Sequence, residues 1–322
     1  MQKITYGVIG TGHMGQYHVN VLSQLPGVSF CGIFDVSSEK ASAVAAKYHT
    51  HAFKSLNEAI NNCEAFSVAV PTTGHFSLCR DLINAGKHVL IEKPIAETAE
   101  QASEILSLAK KNKTVLHIGH VERFNGAVQE LSKVTANPLI WESRRMGPHT
   151  GRIRDVGVVM DLMIHDIDIC IRVVNSPVID FSACGTRIPG SKYEDAACAV
   201  LRFQSGCIAS LSASRVTQEK IRTLSISQPD SYIFLDFTTQ DLRIHRQANS
   251  AITTSTDTIR YTQEALIERL FIHKENPLQS EIQFFLNSVK KNDISQNAGS
   301  ADIDTLRLAT RITETIRAAF SE

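Results

Sequence analysis

The first thirty-five residues contain the feature that most constrains the fold of this chain. A short apolar run, Lys3 to Ile9, is followed at once by a turn that contains three glycines, Gly10-Thr11-Gly12-His13-Met14-Gly15. Residues 16 to 25 then carry apolar side chains at helical spacing, and a second apolar run ends in Asp35. This order predicts a strand, a tight turn, a helix and a second strand that ends in an acid.

Each position of this turn has a physical role if the unit binds a dinucleotide. Gly10 would allow the tight turn, Gly12 would let the backbone approach a pyrophosphate, and Gly15 would let the helix pack closely on the sheet. The pyrophosphate would lie at the N-terminus of the helix, where the N–H groups and the helix dipole favour negative charge. We therefore predict cofactor contacts from Gly10, Thr11, Gly12, His13, Met14 and Gly15.

The acid at the end of the second strand indicates which dinucleotide is bound. Asp35 lies twenty residues after Gly15 and would accept hydrogen bonds from the hydroxyl groups of the adenosine ribose. Because a carboxylate repels a 2′-phosphate, the sequence favours NAD over NADP. Lys40, with Ser37 and Ser38, could instead reach a 2′-phosphate, so NADP stays open as the alternative.

The chain has 322 residues, which exceeds the usual size of one hydrophobic core and predicts two domains. Strand patterns alternate with helical patterns up to Gly119, and this alternation predicts a doubly wound parallel sheet of Rossmann type. The alternation then stops, and short runs such as Cys207 to Ser214, which alternates apolar and small polar residues, predict an open, mostly antiparallel sheet. We therefore predict an α/β protein with a cofactor domain over residues 1–121 and an α+β domain for substrate binding and oligomerisation over residues 122–322.

Composition and charge exclude several classes of function. Lys plus Arg and Asp plus Glu each total 33, so no excess of one charge predicts a nucleic-acid partner. No apolar run approaches the length of about 18 residues that a membrane helix needs, and no leader pattern precedes the first strand, so we expect a cytoplasmic protein without a membrane partner. The seven cysteines are scattered and form no C-x-x-C pair, which argues against a disulfide framework and against a zinc site.

The ligands of a doubly wound sheet bind beyond the carboxyl ends of its strands, so the residues at those ends are the candidates for function. The predicted strand Ala65 to Val70 ends in a turn that carries hydroxyl groups and an imidazole. A helix N-cap by a threonine is the structural alternative. We predict that this turn contacts the cofactor through Pro71, Thr72 and His75.

A second strand end carries the residue of the first domain to which we assign chemistry. The predicted strand Lys87 to Ile91 is followed by Glu92-Lys93-Pro94, and the proline favours an extended conformation of Lys93. A lysine is usually a solvated surface charge, but this one directly follows a buried strand. We predict that Lys93 is catalytic and that Glu92 and Lys93 contact the cofactor.

Polar residues also follow the last parallel strand, at the predicted mouth of the cleft. Arg123 could bind an anionic group of the substrate through its guanidinium fork, and a structural salt bridge is the equally weighted alternative. The predicted substrate contacts in this segment are His120, Arg123 and Asn125.

The densest set of polar residues lies in an otherwise apolar segment, Asp155 to Asp168. Asp161 and His165 are four residues apart and would share one face of a helix, with Asp168 one turn beyond. Carboxylates and an imidazole in a buried helix need a reason. We interpret Asp161 and His165 as a general acid/base pair that also contacts the substrate; a structural network and a divalent metal site are the alternatives.

Taken together, these elements resemble the Gfo/Idh/MocA oxidoreductases, which act on sugars and related polyols with a nicotinamide cofactor. The resemblance covers essentially the whole chain and rests on the glycine turn, the turn Pro71 to His75, Glu92-Lys93-Pro94, and Asp161 with His165 and Asp168. Met163 stands where the family usually has a glycine. The resemblance implies that Lys93, Asp161 and His165 form the catalytic set and that the open sheet mediates a homodimer or homotetramer.

Two further segments, residues 119–125 and Asn276-Pro277-Leu278, are most similar to the nucleotide-sugar branch of the family. The resemblance implies an NAD-dependent dehydrogenase that oxidises a ring hydroxyl of a sugar or nucleotide sugar to a ketone by hydride transfer. Either Lys93 or His165 would take the hydroxyl proton. The alternatives are a dehydrogenase of free aldoses or inositols, a non-catalytic regulator that senses NAD, and NAD-assisted glycoside cleavage.

Overall fold

The computed structural model describes residues 3–149, 156–254 and 259–320. Within these residues the chain forms two compact units. One contains the described residues up to Phe124 together with Asn276–Arg307, and the other contains the described residues of Asn125–Glu275 and those from Leu308 onward. The segment Asn276–Arg307, which the sequence analysis placed in the second domain, therefore packs with the first unit.

The strands fall into two sheets, one in each unit. Those of the first unit are β1 (Ile4–Ile9), β2 (Val28–Phe34), β3 (Ala65–Val68), β4 (His88–Glu92) and β5 (Leu116–Gly119). Those of the second unit are β6 (Ile140–Met146), β7 (Val178–Thr186), β8 (Ala196–Phe203), β9 (Ile208–Ser214), β10 (Ile221–Gln228), β11 (Ser231–Asp236), β12 (Asp241–Thr254) and β13 (Ile259–Arg269).

The described helices connect and cover these sheets. They are α1 (His13–Gln24), α2 (Ser38–Lys47), α3 (Leu56–Asn62), α4 (His75–Asn84), α5 (Ala99–Asn112), α6 (Gly126–Val134), α7 (Ile164–Val174), α8 (Pro277–Lys291) and α9 (Ser300–Ala318). Side-chain oxygens of Ser37, Ser55 and Thr98 accept hydrogen bonds from the first turns of α2, α3 and α5, which fixes where these helices begin. A search of the described helices found none with the length and hydropathy needed to cross a membrane.

The sheet of the first unit has the order β2-β1-β3-β4-β5, and its strand pairs are all parallel. The predicted Rossmann sheet is thus confirmed. In a parallel sheet the carboxyl ends of the strands share one edge, so Asp35, the turn after β3 and Lys93 follow strands that end at that edge.

Helix α8 completes the core of the first unit. Its residues Leu278, Ile282, Phe285 and Leu286 belong to the same buried cluster as the side chains of β1 and α1. The rings of Tyr6 and Phe285 meet edge to face at 5.9 Å. Asn276 caps this helix by accepting a hydrogen bond from the backbone N–H of Leu278.

The sheet of the second unit has the order β13-β12-β11-β10-β6-β9-β8-β7. Its described strand pairs are antiparallel except β6 with β9, which is parallel, so the predicted open and mostly antiparallel sheet is confirmed. Its buried side chains form one core with residues of α6, α7 and α9. The segment before α7, Val159–Met163, is a π-helix that continues directly into α7.

Candidate active site

Two glycines of the turn after β1 are required by the protein itself. Gly10 has φ +93°, and a Cβ added there would lie 2.4 Å from the carbonyl oxygen of Ala69. A Cβ on Gly15 would lie 1.9 Å from the carbonyl oxygen of Gly10. A side chain at Gly10 would therefore clash with the backbone that follows β3, and a side chain at Gly15 would push helix α1 away from the turn.

The third glycine of the turn has a different environment. Among the described residues, no atom lies within 4 Å of a Cβ placed on Gly12. Gly12 is the N-cap residue of α1 and provides no side-chain cap, and its carbonyl oxygen accepts the first helical hydrogen bond from Gln16 at 3.0 Å. Open space beside a helix N-terminus without a side-chain cap fits the pyrophosphate of a dinucleotide.

Asp35 is held in its ionised form at the end of β2. Its Oδ2 accepts hydrogen bonds from the backbone N–H and the hydroxyl of Thr11, both at 2.7 Å, and its Oδ1 accepts one from the backbone N–H of Ser37 at 2.9 Å. Burial opposes ionisation, but these hydrogen bonds outweigh it and lower the pKa of Asp35. The glycine turn and the acid thus form one bonded unit, with the carboxylate half-buried.

The turn after β3 is joined to the segment that follows Lys93. His75 is buried, with Nδ1 at 2.8 Å from the carbonyl oxygen of Pro94 and Nε2 at 3.0 Å from that of Val70. Burial is the main reason why the pKa of His75 is lowered. Thr72 is half-buried at the start of the short 3₁₀ helix Thr72–Gly74, and Pro71 is exposed. The imidazole of His75 is engaged with backbone carbonyls, so its contacts in the described chain are structural.

Lys93 directly follows the buried carboxylate of Glu92 at the end of β4. Glu92 is 8% exposed, and its Oε1 lies 2.8 Å from Nε2 of His18. Lys93 is half-buried, and the Lys93–Pro94 peptide bond is cis. The first unit therefore presents the lysine beside a carboxylate that is already bonded within the protein.

Sequence reasoning missed His18, although a signal for it exists. His18 shares one helical face with Gly15, Val19 and Leu22, which are all buried in α1. A histidine on an otherwise apolar face needs a polar partner inside the protein. Its partners are Glu92 and Ser67, which only the tertiary structure reveals.

The residues after β5 are engaged with the surrounding protein. Arg123 forms an ion pair with Asp302. Asn125 is buried; its amide donates to the carbonyl oxygen of Phe237 at 2.9 Å, and its Oδ1 accepts from the N–H of Ala127 at 3.1 Å, which caps α6. His120 is also buried. Both ends of the Asn125 amide therefore take part in structural hydrogen bonds.

Asp161 and His165 lie in one continuous helical segment of the second unit, and both are half-buried. Asp161 falls in the π-helical part and His165 in the first turn of α7. Because a π-helix has more residues per turn than an α-helix, the angular offset between residues four apart across this junction differs from that in a regular α-helix. Asp168 is buried and accepts a hydrogen bond from Nε of Arg172 at 3.2 Å. Asp155 lies outside the described residues.

A buried ion pair that the sequence analysis missed fixes this helix against the sheet. Nε and Nη2 of Arg145, on β6, each donate to one carboxylate oxygen of Asp166 at 3.0 Å. The Arg145 guanidinium also lies 4.7 Å from the centre of the Phe237 ring. A bidentate pair of this kind sets both the position and the rotation of the helix that carries His165.

Glu194 holds the start of the same helical segment. Its Oε1 accepts a hydrogen bond from the N–H of Val159 at 3.4 Å, and its backbone carbonyl accepts one from Val158 at 3.0 Å. A Cβ on Gly157 would lie 1.9 Å from Glu194 Oε1, so a side chain there would force the carboxylate of Glu194 to move. The side chain of a residue distant in sequence thus takes the place of a local N-cap.

Comparison with known proteins identifies the family of the chain. The model of the oxidoreductase family with an NAD-binding Rossmann fold matches residues 4–120, and the model of the GFO/IDH/MocA C-terminal domain matches residues 125–228. The chain is 34% identical over 288 residues to UDP-N-acetylglucosamine 3-dehydrogenase from Acidithiobacillus ferrooxidans, which covers 88% of each chain. It is also 27% identical over 231 residues to myo-inositol 2-dehydrogenase from Thermotoga maritima, covering 65% of this chain and 68% of that enzyme.

A solved structure supports the same relationship at the level of the fold. The structure of UDP-N-acetylglucosamine 3-dehydrogenase from Acidithiobacillus ferrooxidans superimposes with a TM-score of 0.89 at 30% identity and covers 99% of both chains. Both family models, the full-length relative and the shared fold lead to one assignment. This chain belongs to the Gfo/Idh/MocA family and is a nicotinamide-dependent oxidoreductase that acts on CH–OH groups.

Proposed function

We propose that the protein is an NAD-dependent dehydrogenase that oxidises a ring hydroxyl of a nucleotide sugar, UDP-N-acetylglucosamine, to a ketone. The observation that carries this proposal is the match to UDP-N-acetylglucosamine 3-dehydrogenase, which extends over 88% of both chains at 34% identity. A match over 88% of the chain leaves too few residues outside it to exclude most of the cofactor unit or the segment with Asp161 and His165.

NAD is the proposed cofactor rather than NADP. The carboxylate of Asp35 is ionised and fixed by Thr11 and Ser37, so it would repel a 2′-phosphate and accept hydrogen bonds from ribose hydroxyls. The positive charge of Lys40 is near enough to contribute to the lowered pKa of Asp35, which makes Lys40 a partner of the acid. A pyrophosphate would lie at the turn of Gly10, Thr11, Gly12, His13, Met14 and Gly15.

The catalytic set of the proposal is Lys93, Asp161 and His165. When bound, the nicotinamide supplies the oxidising equivalent of the reaction by accepting a hydride. The protein must orient the sugar and remove the hydroxyl proton, and we assign proton removal to Lys93 or His165 and orientation to Asp161.

Substrate binding by His120, Arg123 and Asn125 is part of the same proposal. Since Arg123 is ion-paired with Asp302, it would have to bind an anionic substrate group while keeping or exchanging that partner. Cofactor contacts by Pro71, Thr72, His75, Glu92 and Lys93 complete the proposed site.

The proposal is tested by measuring NADH formation with UDP-N-acetylglucosamine, free N-acetylglucosamine and myo-inositol, with NAD or NADP. We expect turnover of the UDP-sugar alone, and a higher kcat/KM with NAD. Lys93→Met should lower kcat/KM by about 10²- to 10⁴-fold, the usual contribution of a positioned acid or base.

The matched control is Lys87→Met, since Lys87 is also half-buried and immediately precedes the other end of β4. We expect this variant to keep its activity. Equal rates with free sugars and UDP-sugars would contradict the substrate assignment, and an active Lys93→Met variant would contradict the role of Lys93.

A further inference from the structure

A chain of buried hydrogen bonds crosses the first unit and ends at Glu92. The hydroxyl of Tyr6 lies 2.9 Å from the hydroxyl of Ser67, which lies 2.9 Å from Nδ1 of His18, and Nε2 of His18 lies 2.8 Å from Oε1 of Glu92. Tyr6 and Ser67 are 0% exposed and His18 is 1% exposed. These side chains come from β1, β3, α1 and β4, so the hydrogen-bond chain joins three strands of the sheet to the helix of the glycine turn.

The direction of the hydrogen bonds follows from the groups at the two ends. Burial raises the pKa of Tyr6, so its hydroxyl keeps its proton and can donate to Ser67. Ser67 then donates to Nδ1 of His18, which leaves a proton on Nε2 for Glu92. Every donor in this arrangement has one acceptor, and the carboxylate of Glu92 accepts at the end of the chain.

Glu281 of α8 is a second buried acid in this part of the first unit. Glu281 is 1% exposed, and among the described residues neither of its carboxyl oxygens has a hydrogen-bond partner. Burial, followed by the negative charge of Glu92, raises the pKa of Glu281 well above its ordinary value, and the smaller effect of the positive charge of Arg123 only partly offsets this. Glu281 is therefore neutral and adds no second negative charge beside Glu92.

The segment around Lys93 is thus held on both sides by an imidazole. Before Lys93, the carboxylate of Glu92 is bonded to His18; after it, the carbonyl oxygen of Pro94 is bonded to His75. An amine must be placed within a fraction of an ångström to react with a bound hydroxyl, and a shift of about 1 Å can reduce a rate about 100-fold.

We propose that His18 is a positioning residue that, through Glu92, fixes the amine of Lys93 for proton transfer. The inference rests on the catalytic role proposed for Lys93. His18 acts through the carboxylate, and Ser67 keeps the ring in the tautomer that donates to Glu92.

The test compares His18→Leu, which removes both ring nitrogens, with His18→Gln, whose amide can still donate to Glu92. We expect His18→Leu to lower kcat by about 10- to 100-fold, with KM for the sugar and for NAD changed by less than about threefold. His18→Gln should recover most of kcat. A purely structural role would instead lower the melting temperature without this separation of kcat from KM or this rescue.

A second readout does not depend on turnover. In the enzyme without cofactor, the acylation rate of Lys93 is measured by peptide mass spectrometry relative to Lys87. We expect the ratio to change by about threefold or more in His18→Leu and to return toward the wild-type value in His18→Gln.

An unchanged Lys93 labelling ratio in His18→Leu would overturn the positioning role, whatever happens to the rate. Failure of every sugar to react in the wild-type protein would overturn the proposed function, while the labelling ratio would still decide the role of His18. If His18→Leu does not fold, Ser67→Ala takes its place, because it removes the partner of Nδ1 and keeps the ring. An unchanged labelling ratio in Ser67→Ala would then overturn the proposal.

Discussion

Replacement of His117 by phenylalanine should make the first unit less sensitive to acid. His117 lies on β5 and is 6% exposed, with its ring centre 5.2 Å from that of Phe284 and 5.4 Å from that of Phe285. Its Nε2 has no hydrogen-bond partner among the described residues. Burial, aided by the positive charge of Arg123, lowers the pKa of His117 from 6.5 to about 4.

The magnitude follows from the difference between these two pKa values. Between pH 6.5 and pH 4 the unfolded chain binds a proton at His117 and the folded protein does not, so stability falls as the pH falls through this range. Each unit corresponds to about 1.4 kcal/mol, which gives a loss of about 2 kcal/mol at pH 5 and about 3 kcal/mol near pH 4. Phenylalanine cannot bind the proton, and His117→Phe should therefore not show this loss.

The assay is urea unfolding of both proteins at pH 7, 6 and 5, followed by far-ultraviolet circular dichroism. The two compact units can unfold in separate transitions, and addition of NAD identifies the transition of the first unit, because a ligand stabilises the unit that binds it. We expect the unfolding free energy of His117→Phe minus that of the wild type to rise by about 2 kcal/mol from pH 7 to pH 5.

The wild type and His117→Phe share their other titrating groups, so the difference between their unfolding free energies depends on pH only through His117. His273→Phe is the matched control, since the side chain of His273 is 84% exposed and its replacement should leave the pH dependence of the wild type unchanged. A difference between His117→Phe and wild type that stays constant from pH 7 to pH 5 would refute the reasoning.

Three further groups of variants test other parts of the structure. Above pH 4.5 the folded wild type keeps a proton on Glu281 that the unfolded chain loses, so its stability falls as the pH rises toward the raised pKa. Glu281→Gln has no such proton, and its unfolding free energy should therefore rise relative to the wild type by about 1.4 kcal/mol per pH unit over this range. Urea titrations at pH 5, 6 and 7 measure the difference. Gly12→Ala should fold normally, but its affinity for NAD, measured by calorimetry, should be about tenfold or more weaker than that of the wild type. Gly15→Ala should instead lower the free energy of unfolding by about 1–3 kcal/mol or more. Equal NAD affinity of Gly12→Ala and wild type would contradict the proposed position of the pyrophosphate. Arg145→Met should destabilise the second unit by about 3–5 kcal/mol, because it leaves the carboxylate of Asp166 buried without its partner. In thermal denaturation, the double variant that also carries Asp166→Leu should recover part of this loss. A double variant no more stable than Arg145→Met would argue against a desolvated ion pair.

The cofactor unit was predictable because its signals are local in sequence. The strand, glycine turn and helix from β1 to α1 occupy consecutive residues, and Asp35 follows at the end of the next strand. The turn after β3 and Lys93 were also identified from the sequence, because each consists of polar residues that directly follow an apolar strand. The buried strands of a parallel sheet are continuous apolar runs, which a sequence reveals directly.

The second sheet was only partly predictable, because two of its strands lack a clear pattern. Strand β6 alternates exposed and buried positions, but its buried side chains include Ser143 and Arg145 as well as Trp141. A polar residue that points inward erases the alternation on which the prediction depends. Strand β7 likewise contains no buried side chain. By contrast, β9 alternates as predicted, and its buried residues are Ala209, Leu211 and Ala213 with Ser214 at its end.

The sequence by itself determined the two kinds of sheet, the glycine turn and its acid, and the candidates Lys93, Asp161 and His165, because each of these is a pattern within a few turns or one strand. Only the tertiary structure decided that α8 packs on the first sheet, that His18 meets Glu92, and that Arg145 meets Asp166. Arg145 and Asp166 are 21 positions apart in the sequence, and His18 and Glu92 are 74 positions apart. A polar residue within an apolar pattern predicts that a hydrogen-bond partner exists inside the protein. Which residue is that partner depends on which strands and helices pack together.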